Sequence, residues 1–406
     1  MNLASRMERI GTETAFEAAA RARVLEATGR SVIHLELGEP DFDTPRHISE
    51  AAVQALLEGR MTHYPPATGI APLKEAIAAD VRRWKGIEAT PDQVVVTPGA
   101  KPIMFYAMLA LIEEGDEVIY PNPGFPIYES MIRYVGGAAV AAPLREASDF
   151  RMDVEEVAGL VTDRTRMIVI NSPHNPTGSI LTADDLRQIA RIAVERDLVV
   201  LADEIYGRLQ YEGEPLSIAT LPGMAERTIT LDGFSKTFAM TGWRLGYGIV
   251  PDWLVPSYSR LVINSVSGTS AFAQAGAVAA LTGPQDEPER MRAEFIARRA
   301  LIVDGLNAIS GVSCVLPHGA FYAFPNVSSF GRSSSEIADH LLYDAGVCGL
   351  AGTAFGQHGE GYIRFSYANS RANIEAALER IGESLAKLEH TGELVSAQSV
   401  TAGSAH

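Results

Sequence analysis

The sequence predicts an α/β protein whose mainly parallel central sheet is sandwiched by helices, and two observations predict it. Short apolar runs of strand length alternate with helical patterns along most of the chain, and polar residues follow directly after several of those runs. Composition agrees with a folded protein: of 406 residues 47% are hydrophobic and 21% charged, which excludes a disordered or fibrous chain. At roughly 150 residues per domain, the length suits two to three domains.

The elements follow in order. Residues 93–97 (QVVVT) read as a strand, 101–111 as a helix and 117–120 as the next strand. Apolar runs at 166–170 (RMIVI), 198–202 (LVVLA), 228–231 and 245–250 continue the alternation, with a helical pattern at 182–196 between two of them. After about residue 285 the chain turns helix-rich, with a helix at 287–309, a strand-like run at 319–325 (GAFYAFP) and a closing helix from 373 to about 389. This change predicts a second, smaller α/β unit. Residues 391–406 are small and polar without periodicity, which predicts a frayed tail.

Charge and cysteine content narrow the function. The formal net charge is −16, which speaks against a diffuse nucleic-acid surface while leaving room for a local anion site. Only two cysteines, Cys314 and Cys348, are present, giving neither a disulfide framework nor a zinc spacing. The nine histidines are scattered, so no metal site is expected. The first residues carry charges throughout, and the longest apolar stretch, 103–112, is too short to span a bilayer, so a cytoplasmic protein is expected.

In open parallel sheets, ligands sit beyond the carboxyl ends of the strands. After QVVVT come Pro98, Gly99, Ala100, Lys101 and Pro102, a small-residue turn opening a helix whose first amides and dipole, with Lys101, suit a phosphate. An ordinary strand-to-helix turn has the same form. After RMIVI the segment from Asn171 to Gly178 brings Asn175 to the sheet edge, and after LVVLA come Asp203 and Tyr206. Asp203 alone also reads as a helix cap. After the run at 228–231 come Ser235 and Lys236 among apolar neighbours, with Arg244 eight positions on. Desolvation of such a lysine favours its neutral amine, a nucleophile able to form a Schiff base with an aldehyde.

These features together resemble the class I/II aminotransferases, pyridoxal-phosphate enzymes of the aspartate aminotransferase fold, fold type I. The resemblance runs from Leu37-Gly38-Glu-Pro-Asp-Phe-Asp-Thr-Pro45 through Tyr64-Pro-Pro-Ala-Thr-Gly69, the Gly99 turn, Asn175-Pro-Thr-Gly178, Asp203-Glu-Ile-Tyr206 and the Lys236 segment to Tyr362-Ile-Arg364-Phe-Ser366. It implies pyridoxal 5′-phosphate as cofactor and no metal. Lys236 would hold the cofactor and then move the substrate α-proton, Asp203 would partner the pyridine nitrogen, and Asn175 and Tyr206 would bond the phenolic oxygen. Phe125 would stack on the ring, while Gly99, Ala100, Lys101, Ser235 and Arg244 would bind the phosphate. Tyr64 would reach the phosphate of a neighbouring subunit, making a homodimer with sites at the interface. Arg364, Gly38 and Asn175 would receive the substrate, the arginine fork taking its α-carboxylate.

The resemblance further implies a division into an arm and part of a small domain (1–45), a large cofactor domain (46–285), a C-terminal small domain (286–390) and a tail (391–406). The implied reaction is a ping-pong transfer of an amino group from an L-amino acid to a 2-oxo acid, with neither nucleic acid nor membrane as partner. Carbon–sulfur β-lyases, aminocyclopropane-carboxylate synthases and, more remotely, pyridoxal-phosphate-binding regulators share these motifs. Two positions depart from the family pattern: Gly233 stands where many relatives carry a phosphate-binding serine, and Ala351 where a proline is common. No residue identifies the amino donor.

Overall fold

The computed structural model of the chain describes residues 3–391 together with 394 and 395. In chain order the first half comprises α1 (Thr14–Glu26), β1 (Ile33–His34), α2 (Arg46–Leu57), α3 (Ala71–Lys85), β2 (Val94–Thr97), α4 (Lys101–Leu111), β3 (Glu117–Asn122), α5 (Ile127–Val135), β4 (Ala138–Pro143), α6 (Val154–Leu160), β5 (Thr165–Asn171), α7 (Ala183–Glu195) and β6 (Val199–Asp203). The second half adds β7 (Thr228–Gly233), β8 (Gly246–Ile249), α8 (Val255–Ser265), α9 (Ala271–Thr282), α10 (Asp286–Asn307), β9 (Tyr322–Ala323), α11 (Ser334–His340), β10 (Val347–Cys348), β11 (Leu350–Ala351), β12 (Ile363–Ser366) and α12 (Arg371–Thr391).

Seven strands form the main sheet in the order β2-β8-β7-β6-β5-β3-β4. All neighbours run parallel except β8, which is antiparallel to both β7 and β2. The reason lies in the connection: residues 234–245 return from β7 without a crossover helix, and a parallel pair needs one. Strand alternation explains why helices cover both faces. On β5, Ile168 and Ile170 pack with α1, α6 and α7, while Met167 and Val169 pack with α4, α5 and α8. At the β2 edge, Val94, Val96 and Ile249 meet α2, α3 and α9.

A separate core gathers Ile33 and Leu35 with Phe295, Ile302 and Leu306 of α10 and Ile374, Ile381 and Leu385 of α12. Here β9, β12 and β11 form a three-stranded antiparallel sheet, and β1 pairs with β10. The strand expected over 319–325 is confined to Tyr322–Ala323, because Ala320 takes a positive φ of 58° that breaks the extended backbone before it. Of the expected tail, Thr391 belongs to α12, and the Val395 amide donates to Nδ1 of His340 at 2.9 Å; the remaining tail residues lie outside the described ones. Among the described residues no helix is long and apolar enough to cross a membrane.

Candidate active site

A cavity of about 540 Å³ opens beyond the carboxyl ends of the parallel strands. Its walls include Gly38, Ala100, Lys101, Phe125, Asn175, Asp203, Tyr206, Ser235, Lys236, Arg244 and Arg364. The cavity thus brings together eleven of the thirteen residues singled out in the sequence. The other two are Gly99, which underlies the wall at Arg244, and Tyr64, which is 93% exposed and borders no part of the cavity.

Lys236 sits in the β7–β8 reversal, and its Nζ donates to the carbonyl of Gly38 at 2.5 Å. Burial pushes its amine down to about 8, so the neutral form is accessible near neutral pH. Phe321 lies beneath, with Nζ 5.9 Å from its ring centre.

Asp203 is the last residue of β6 and caps no helix, contrary to the helix-cap alternative. Its Oδ2 accepts from the buried Tyr128 hydroxyl at 2.6 Å and its Oδ1 from the Ile205 amide at 3.2 Å. Burial raises the carboxyl to about 6, leaving it ionised at neutral pH despite its low exposure. Tyr128 escaped the sequence reading; it lies in the first turn of α5, three residues after Phe125, which precedes the helix.

Arg364 projects from β12 and is only 4% exposed. One Nη donates to Asn175 Oδ1 at 3.0 Å and the other to the carbonyl of Glu36, while the guanidinium lies 4.4 Å from the ring centre of Tyr322 and 4.7 Å from that of Phe355. Its buried Nε has no hydrogen-bond partner, and among the described residues Arg364 makes no ion pair. A buried, ring-sandwiched cation with an unused donor is costly unless an anion completes it. The Asn175 segment is held by Asn171, whose Oδ1 accepts from the Asn175 amide at 2.9 Å and whose Nδ2 donates to the Asp203 carbonyl at 3.0 Å. Tyr206 shares a 2.7 Å hydroxyl contact with Tyr322, a second residue the sequence left unmarked.

The residues expected to hold a phosphate lie around the start of α4. Pro102 lies in the first turn of α4, and Gly99 before it has φ +80°; a Cβ there would collide with the Arg244 guanidinium. Thr97 Oγ1 donates to the Gly99 carbonyl at 2.7 Å, and Arg244 donates to the Thr241 carbonyl at 2.9 Å. Lys101 stands at the cavity wall in an ion pair with Glu13 from the N-terminal segment, 5.5 Å from the Phe125 ring centre. A side chain at position 233 would be tightly placed, since a Cβ there would stand 3.0 Å from Gly246 Cα on β8, whereas Ser235 two residues on borders the cavity. Ala351 lies on β11 opposite Ile363, next to the cavity residue Leu350.

Comparison with known proteins agrees with this geometry. The family described as "Aminotransferase class I and II" matches residues 30–381. The chain is 43% identical to aromatic-amino-acid aminotransferase 2 of Thermococcus litoralis over 354 residues, 86% of this chain and 90% of that one. It is 42% identical to aspartate aminotransferase of Pyrococcus abyssi over 356 residues, 87% and 91% of the two chains. The structure of Thermus thermophilus aspartate aminotransferase with maleate superposes with a TM-score of 0.90 at 37% identity, covering 95% of this chain and all (100%) of that one. With its family profile, its relatives and its fold in agreement, this chain belongs to the class I and II aminotransferases and is an enzyme of that kind.

Proposed function

We propose that the chain binds pyridoxal 5′-phosphate in the cavity beyond the strand ends and moves the amino group of an L-amino acid to a 2-oxo acid by a ping-pong mechanism. The observation that carries this reading is the meeting of three groups in one cavity: a lysine amine lowered to about 8, a buried carboxylate, and an arginine with an orphaned Nε. The residues fit the cofactor, since an amine, a carboxylate and an anion cradle at a helix N-terminus match its aldehyde, ring nitrogen and phosphate.

When bound, the cofactor supplies an aldehyde that takes up the amino group and a ring that withdraws electrons from the substrate α-carbon. The chain's own residues do the rest. Lys236 would anchor the cofactor and would move the substrate α-proton at its Nζ, while Asp203 would partner the ring nitrogen and keep a proton there through a charge-assisted bond. Asn175 and Tyr206 would bond the phenolic oxygen, and Phe125 would cover the ring. Gly99, Ala100, Ser235 and Arg244 would hold the phosphate, with Lys101 beside them and Tyr64 contributed by a second copy. Arg364 orients the substrate α-carboxylate through its fork beside Gly38 and Asn175.

A homodimer completes the reading, supported by Tyr64 standing 93% exposed within a family motif. The core that joins Ile33 and Leu35 to α10 and α12 supports a small domain built from residues 1–45 and 286–390 around a large one at 46–285. Two buried free thiols, Cys314 and Cys348, accord with a cytoplasmic location.

Product analysis tests the reaction. Protein supplied with pyridoxal phosphate, 2-oxoglutarate and single L-amino acids should yield glutamate and the matching 2-oxo acid. Aspartate and the aromatic amino acids are the first donors to try, since the relatives' names point to them. Release of ammonia and pyruvate without any acceptor would contradict transamination and favour a β-lyase.

A further inference from the structure

Behind Asp203 lies a charged cluster that borders no part of the main cavity. Lys85, the last residue of α3, places Nζ 2.7 Å from Glu204 Oε2 and 2.7 Å from Asp232 Oδ2. The three side chains are only 7%, 12% and 11% exposed. Glu204 directly follows Asp203, and a second, smaller cavity is bordered by Lys85, Asp203 and Glu204 together. The remaining oxygens are satisfied: Glu204 Oε1 accepts from Ser217 at 2.6 Å, and Asp232 accepts from the Gly233 amide at 2.7 Å and from the Tyr247 hydroxyl at 3.3 Å.

The cluster holds one positive and two negative charges. With Asp203 it makes three neighbouring carboxylates directly paired by a single ammonium; the Arg208 guanidinium, which also feels Asp232, is itself paired with Asp80 at 2.6 Å. Like charges in a poorly solvated region each favour a proton on their neighbours, and the ammonium opposes this. We propose that Lys85 is a positioning residue for Asp203: shared between Glu204 and Asp232, it neutralises charge behind the site and keeps Asp203 ionised at neutral pH.

Other groups facing Asp203 are Tyr128 from α5 and Tyr206 from the segment after β6, both held in their neutral form by burial, while Lys236 and Arg364 border the same cavity. None of these offsets Glu204 and Asp232, whose only ion-pair partner among the described residues is Lys85. The significance for catalysis rests on Asp203 meeting the ring nitrogen; the electrostatic claim does not.

The test reads Asp203 itself in the full-length chain freed of cofactor. With aspartate side-chain carboxyls labelled by carbon-13, the Asp203 resonance is the one lost in Asp203→Asn, and its midpoint is followed with pH. Glu204→Gln takes the cluster from a net −1 to zero and should lower the midpoint by about one pH unit. Lys85→Met takes it to −2 and should raise the midpoint by a similar amount, and Lys85→Met/Asp232→Asn, back at −1, should return it close to wild type. An unmoved midpoint in Glu204→Gln would overturn the proposal, as would a double variant that stays with Lys85→Met. Because stripping the lysine from two buried carboxylates can itself unfold the region, the milder Glu204→Gln decides if Lys85→Met does not fold. A failure of transamination with the predicted midpoints intact would count against the role of Asp203 toward the cofactor, not against Lys85.

Discussion

At the scale of single residues, the site holds its charges at a cost to the fold, and that cost is measurable. Burial raises Asp203 from the usual 3.8 to about 6. The folded state therefore holds the proton more tightly than the unfolded one, so this group's contribution to stability is full below about 3.8 and is lost as pH rises through about 6. We expect Asp203→Asn to melt a few °C above wild type at about pH 8 without cofactor, and the gap to close toward about pH 4. A gap independent of pH would contradict it. Arg364 carries the opposite expectation. Arg364→Lys keeps a charge but loses the fork, so the amino-acid KM should rise about ten- to hundredfold while the spectrum of bound cofactor stays unchanged. An unchanged KM would remove Arg364 from substrate binding. The polar residues at the strand ends were legible because the sheet itself dictates where ligands bind. Tyr128 and Tyr322 were not, because a tyrosine in an apolar run looks like core until its hydroxyl partner, here Asp203 or Tyr206, is seen across the fold.

At the scale of elements, the cradle depends on backbone that only certain residues allow. Gly99 lies at φ +80° with the Arg244 guanidinium where a Cβ would be. Gly99→Ala should therefore weaken pyridoxal phosphate binding by about tenfold or more, measured by titration of cofactor-free protein, because strain and displacement of Arg244 act on the same loop. Retained affinity would place the phosphate elsewhere. The helix α4 was legible to the residue, since Pro102 marks its first turn and the apolar pattern carries it to Leu111. By contrast, β4 (AAVAAP) offers alanines without a strand preference and became a strand only by pairing along β3. The reversed direction of β8 was equally hidden: its sequence specifies an apolar strand, and only the helix-free connection carrying Lys236 fixes its orientation.

At the scale of the whole molecule, the proposed dimer makes each site depend on two chains. Tyr64→Ala should bind cofactor weakly, and Lys236→Ala should be inactive. A mixed dimer of the two contains one site with Lys236 from one chain and Tyr64 from the other. Mixing the variants after mild dissociation should then restore activity at limiting cofactor, and no recovery would place Tyr64 outside the partner's site. The central claim, that Lys236 is the residue joined to the cofactor in this cavity, is tested most directly by trapping. Protein loaded with pyridoxal phosphate is reduced with borohydride, digested and mapped by mass spectrometry. We expect the pyridoxyl label on Lys236 alone; a label on Lys101, a label spread over surface lysines, or none at all would contradict the account.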